Sequence, residues 1–354
     1  MEINKVIEFL KKYDGPQIKL MEVCGTHTSA IVKSGIRSII SPKIKLISGP
    51  GCPVCVTPTS YIDKCIEYSL KEKHALMVFG DMMKVPGDNG NLSLAKGLGA
   101  RVEVIYSPFE VIEKAKANPE KAYITAAVGF ETTAPIYALL IREAEKAGIK
   151  NIKILTAVKT IIPALSWICE NEKEIDGFIC PGHVSVIIGS DGYNDLFRKY
   201  EKPLAIAGFE PEHILAGIYD LLHMLSGKKN PQVSNLYKSA VKDKGNEKAQ
   251  SEIARCFKKG NAMWRGIGII ENSGLYLNDD YSEYDAGSFG LDKDKAPQAG
   301  CRCADIIVGR INPDECPMFG KTCSPANPLG ACMVSGEGVC SVWYSGRLFV
   351  TIHA

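Results

Sequence analysis

Two cysteines stand two residues apart in the stretch "GPGCPVC", as Cys52 and Cys55. Such a pair acts as a dithiol/disulfide couple or gives two ligands to a metal, because the thiolate is both nucleophile and ligand. Gly49, Pro50, Gly51 and Pro53 restrict the turn and hold the sulfurs close. No matching C-x-x-C occurs elsewhere in the chain, which disfavours a four-cysteine zinc ribbon. In "MEVCGTHT", Cys24 falls at a predicted strand end, with Gly25 to permit a tight turn and His27 three residues on. His27 can lower the thiol pKa or share a metal with it. "CPGHVS" presents Cys180 and His183 at another strand end. Cys180 is the weaker of these two, since strand ends bury cysteine readily. "GFETTAP" offers Glu131 for proton handling, with Thr132 and Thr133 beside it to hydrogen-bond or to cap the next helix.

Six of the thirteen cysteines lie between Cys301 and Cys340. Cys316, Cys323, Cys332 and Cys340 are spaced by six, eight and seven intervening residues on a Gly- and Pro-rich stretch. Four thiolates on such a chain can wrap an iron–sulfur cubane or a zinc ion. The spacing fits neither the common ferredoxin patterns nor the short zinc knuckles, so it argues for a metal without choosing which. Cys301 and Cys303, in "GCRC", form a vicinal redox pair or supply a spare ligand. Cys65, Cys169 and Cys256 sit among apolar neighbours in helical patterns and read as core.

The bulk numbers set the frame. With 354 residues there is material for two or three domains, each with a core. A formal net charge of +2 gives no reason to expect a nucleic-acid surface. No apolar run approaches the roughly 18 residues that span a bilayer. "MEINKVIEFLKKYDGP" reads as an amphipathic helix rather than a signal peptide, so a cytoplasmic protein is expected. An odd cysteine count in a reducing compartment argues for metal binding or redox chemistry over a disulfide framework.

The elements that must position these groups alternate. "IKLMEVC", "KIKLISG", "HALMVFG" and "ARVEVIY" are short β-rich runs, each followed by a turn. "YITAAVGFETTAP", "IKILTAVKT", "GFICPGHVS" and "KPLAIAGFEP" repeat the pattern. Helices lie between them, such as "TSYIDKCIEYSLKEK", whose Ile62, Cys65, Ile66 and Leu70 share a face. The expected class is α/β, with two similar parallel-sheet domains, 1–117 and 118–225. Paired stretches such as "MEVCGTHT" and "AAVGFETT" suggest duplication. Residues 226–354 are expected to hold a linker helix and a small irregular, Cys-rich domain folded around a metal. Ligands of open α/β sheets bind at the carboxyl ends of the strands, where most of these chemically capable turns fall. "PGDNGNLSLAKGLGA" is neither of the common nucleotide-binding glycine loops.

"CGTHT", "GPGCPVC", "PGHVS" and the C-terminal cysteine run, in that order over essentially the whole chain, closely resemble the HypD family of [NiFe]-hydrogenase maturation proteins. The resemblance implies a cytoplasmic scaffold that builds the Fe(CN)2CO group of the hydrogenase active site. It implies a HypC-type chaperone and a HypE-type cyanide donor as partners. It also implies a [4Fe-4S] cluster, by match on Cys316, Cys323, Cys332 and Cys340. Cys24 would hold the assembling iron, and Cys52 and Cys55 would be the family's dithiol. His27, Glu131 and His183 would supply protons or orient ligands. Two other readings compete: an iron–sulfur thiol–disulfide oxidoreductase acting on a protein disulfide, and a binding module with structural zinc.

Overall fold

The computed structural model describes residues 2–295 and 300–352, with side chains as far as residue 346. All eight expected strands form: β1 Ile18–Glu22, β2 Ile44–Ser48, β3 His74–Val78, β4 Val102–Val104, β5 Ala122–Gly129, β6 Ile152–Val158, β7 Gly177–Cys180 and β8 Leu204–Ile206. Three more follow: β9 Val233–Asn235, β10 Phe257–Trp264 and β11 Gly268–Leu277. One sheet has the order β2-β1-β7-β8-β9 and another β4-β3-β5-β6, and every pairing in both is parallel. Helices cover the faces, so the central strands are apolar along their length. All four residues of β7 are buried, as are five in a row of β5.

The sheets do not divide the chain at residues 117 and 118, as expected from sequence. β1 and β2 pair with β7, β8 and β9, whereas β3 and β4 pair with β5 and β6. Each sheet therefore draws on both presumed halves. The region after 226 is also shared out. β9 completes the first sheet, and the helix Glu247–Cys256 packs on the helix Ala134–Lys146, where Arg142 pairs with Glu252 at 2.6 Å. β10 and β11 form an antiparallel hairpin that leans on β6 through a bridge between Lys159 and Gly274. The cysteine-rich part is what remains, from residue 300 onward.

That hairpin holds loops in place. Arg265, at its turn, donates from Nε to the Thr57 carbonyl at 2.6 Å and from Nη2 to the Pro86 carbonyl at 2.8 Å. It thereby ties the loop after β2 to the loop after β3. Local helix expectations hold with one exception. In the helix Thr59–Leu70, Ile62, Cys65 and Ile66 are buried, but Leu70 at its end is 58% exposed. Ser69 is buried instead, its hydroxyl donating to the Ile66 carbonyl at 2.7 Å. Cys65, Cys169 and Cys256 are core residues, as expected.

Candidate functional site

The carboxyl ends of the two sheets meet around one cleft of about 760 Å³. Cys24 follows β1, Gly51 and Pro53 follow β2, and His183 follows β7 on one side. Phe79 to Met82 follow β3, and Gly129, Phe130, Thr132 and Thr133 flank the end of β5 on the other, with Ile161 after β6. Glu337, from the cysteine-rich segment, completes the lining.

Cys24 is the residue that caps the helix Gly25–Lys33 at its start, and it opens on the cleft. Burial pushes its thiol up to about 11, while the backbone N–H groups of His27 and Thr26 pull it down. A helix start supplies such donors to an anion, which is what a metal-held thiolate needs.

Cys52 and Cys55 are joined as a disulfide across Cα atoms 5.3 Å apart. Both are nearly inaccessible, at 4% and 2% exposure. Two glycines let the main chain approach this closely. A Cβ on Gly51 would lie 2.5 Å from the Cys24 nitrogen, and one on Gly338 would lie 3.1 Å from the Cys55 sulfur. The C-x-x-C turn is thus packed between Cys24 and the segment that carries Cys332 and Cys340. The Cys55 sulfur is also 3.8 Å from the Ala331 carbonyl.

In that segment Cys316, Cys323, Cys332 and Cys340 are all buried. The structure adds Cys303 to them. Hydrogen bonds from Cys303 and Cys332 lower the Cys340 thiol, while Cys332 is raised by its contacts with the same two neighbours. Cys301 lies against Cys303, and a Cβ on Gly330 would strike both sulfurs. Among the described residues, no three His, Cys, Asp or Glu side chains are already disposed as the ligand shell of one ion. The donor set, buried soft thiols on irregular chain, fits an iron–sulfur cluster or zinc.

The remaining sequence candidates separate. His183 lines the cleft, and its ring packs 4.2 Å from that of Phe209. His27 is on the other side of Phe209, at 4.9 Å, fully buried and off the cleft. Its Nε2 contacts the Gly208 carbonyl at 3.1 Å, its Nδ1 has no partner, and burial lowers it to about 4. It therefore touches the Cys24 sulfur through its backbone rather than its ring. Glu131 also lies beneath the cleft wall. Its Oε1 accepts from the Ile161 N–H at 2.8 Å, Oε2 has no partner, and burial raises it to about 7. Glu131 thus anchors the start of the helix Ile161–Asn171, while Thr133 stands at the cap position of the helix Ala134–Lys146 without a side-chain capping bond. Cys180 is wholly buried.

Two cleft residues went unnoticed in the sequence. Asp81 and Glu337 both line the cleft, and burial raises both carboxyls, with the Asp81 charge adding to the rise of Glu337. Asp81 stands in the turn after β3, a position of the kind that drew attention to Cys24 and His183. Glu337 lies in a loop whose place only the fold reveals.

Comparison with known proteins settles the family. The HypD family model, described as hydrogenase formation hypA family, matches residues 1–347. This chain belongs to the HypD family. It is 40% identical over 337 residues to the hydrogenase maturation factor HypD of Escherichia coli K12, covering 93% of this chain and 89% of that one. The HypD of Azotobacter vinelandii is also 40% identical, over 340 residues with the same coverage. That of Rhodobacter capsulatus is 37% identical over 335 residues, covering 92% and 89%. Hydrogenase maturation is thus the process to which this family belongs. No helix among the described residues is long and apolar enough to cross a membrane.

Proposed function

We propose that this HypD chain is the scaffold on which the Fe(CN)2CO group is assembled, with the iron held as cargo by Cys24. One observation carries the reading: the Cys24 thiol, at a helix start, shares a cleft with the C-x-x-C turn, and the cysteine-rich segment closes that cleft. A soft thiolate suits low-spin iron bearing strong-field diatomics. Cys52 and Cys55 release two electrons and two protons when the dithiol closes to the disulfide. His183, Asp81 and Glu337 are the side chains that can hold or move a proton at the cleft surface. His27 and Glu131 act from behind it, as supports of the helix starts.

A [4Fe-4S] cluster would be held by Cys316, Cys323, Cys332 and Cys340, with Cys303 placed to substitute for one of them. When bound it supplies single electrons near the C-x-x-C pair. A HypC-type chaperone and a HypE-type cyanide donor are the proposed partners, in the cytoplasm. The competing oxidoreductase reading is disfavoured by burial: cysteines at 4% and 2% exposure cannot reach the disulfide of another protein without opening the turn.

The test is an infrared spectrum of the chain purified with its chaperone. Cyanide and carbonyl stretching bands are expected from the parent protein and lost from Cys24→Ala, whose visible cluster absorption should be unchanged. Cyanide bands persisting in Cys24→Ala would overturn the assignment of the iron ligand.

A further inference from the structure

Glu22 ends β1 with only 1% of its surface exposed. A carboxyl group costs far more to bury there than the apolar residues of the same strand. Its partners account for it. Oε2 accepts the Cys24 N–H at 3.1 Å, and Oε1 accepts the Thr28 hydroxyl at 2.5 Å. The Thr28 hydroxyl also lies 3.3 Å from the Cys24 carbonyl. One side chain therefore grips the peptide before the Cys24 sulfur and the first turn of the helix whose N–H groups face that sulfur. The positive charge of Arg37 acts on Glu22 and favours its ionised form. Arg37 is fixed by a 3.3 Å hydrogen bond from Nη2 to the Leu46 carbonyl and by stacking 4.6 Å over the Trp343 ring. Its Nε and Nη1 have no hydrogen-bond partner. Trp343 is three residues beyond Cys340, one turn along the helix Val339–Ile352. The cysteine-rich segment thus packs its Trp343 on the residue whose charge acts on Glu22.

We propose that Glu22 is a positioning residue of the Cys24 centre, its carboxyl group clamping strand end and helix start together so that the sulfur is presented to the cleft. This rests on reading Cys24 as the working thiol of the cleft. Released from the clamp, the strand end is free to turn the sulfur toward the interior.

The test labels the full chain with a small alkylating reagent and follows the Cys24 peptide by mass spectrometry. Glu22→Ala should slow Cys24 labelling about tenfold, the upper scale of one lost hydrogen bond. Glu22→Gln keeps an acceptor for the Cys24 N–H and should restore the rate to within about threefold. Thr28→Val removes a single anchor and should slow labelling by an intermediate factor, which keeps the test alive if Glu22→Ala does not fold. Labelling of Cys65, a core thiol remote from the clamp, serves as the control for general loosening. Parent-like Cys24 rates in folded Glu22→Ala, or in Thr28→Val if that alone folds, would overturn the proposal. So would slowing in Glu22→Gln equal to that in Glu22→Ala, or a parallel change at Cys65. The labelling needs no iron, so it is separate from the infrared test: slowed labelling together with cyanide bands in Cys24→Ala would leave the clamp standing and remove the iron-ligand reading.

Discussion

Single residues here do their work by where their polar atoms go. Glu131 illustrates it, since it spends one oxygen on the Ile161 N–H and leaves the other unpartnered in the interior. Burial raises its carboxyl from the ordinary 4.5 of a free glutamate to about 7 in the folded chain. Between those values the folded chain holds a proton that the unfolded chain has released. Stability from this group is therefore present below pH 4.5, falls as pH rises toward 7, and levels off above it. Glu131→Gln keeps an acceptor for Ile161 and removes the titration. Denaturant melts at pH 5 and pH 8 should show a smaller loss across that interval in the variant. The difference is bounded by the slope of one proton, about 1.4 kcal/mol per pH unit. Equal losses in the two proteins would mean that Glu131 is not a buried titrating group.

At the scale of elements, the C-x-x-C turn depends on a backbone contact. A side chain at Gly51 would meet main-chain atoms of Val23 and Cys24 at 2.6 and 2.5 Å, which cannot swing away as a flexible side chain can. Gly51→Ala should cost roughly 1–3 kcal/mol, the range for overpacking, in a thermal or denaturant melt. It should also shift the potential at which the Cys52–Cys55 pair closes, read by thiol trapping at poised potentials. In the parent protein that trapping should reveal a Cys52–Cys55 disulfide at a defined potential. A pair that stays reduced until generic exposed thiols oxidise would show the turn to be structural. The hairpin β10–β11 works at the same scale, with Arg265 holding the loops after β2 and β3 in register beside the cleft.

Across the whole molecule, the cysteine-rich segment shares its core with both sheets. Phe319, Cys332 and Met333 belong to the same apolar cluster as Met21, Leu76, Ile124 and Phe178. Its loop also seats Glu337 against Gly25, where an added Cβ would lie 2.5 Å from the Glu337 carbonyl oxygen. Metal binding and folding are coupled in such segments, so on the proposed ligand set the loss of one cysteine should loosen the cleft as well as the cluster site. Cys340→Ala is expected to bleach the cluster absorption and to speed hydrogen exchange in the 330–340 and 22–30 peptides. The strands β3, β5 and β6 should keep their protection. Full absorption and unchanged exchange in Cys340→Ala would remove Cys340 from the ligand set and uncouple the segment from the cleft.

The strands and most helices were legible because their signals are local: a run such as "HALMVFG" or an apolar face such as Ile62, Cys65 and Ile66 is settled by near neighbours. The order of the motifs likewise pointed to the HypD family, which the comparisons bear out. The hairpin was missed because Gly260 and Gly274 interrupt it and much of β10 faces solvent, so neither alternation nor an apolar run marks it. Which strands share a sheet was decided by tertiary pairing alone, since β1 finds β7 more than 150 residues away. The same long-range packing sent the His27 ring to Gly208 and left His183 in the cleft, although each stands close after its strand's end. It joined Cys303 to the later cysteines and set Asp81 and Glu337 on one cleft. Residue types and spacing determine which chemistry a chain is capable of. Only the meeting of two sheet ends and a distant segment determines which of those groups face each other, because that contact depends on surfaces buried far apart in sequence.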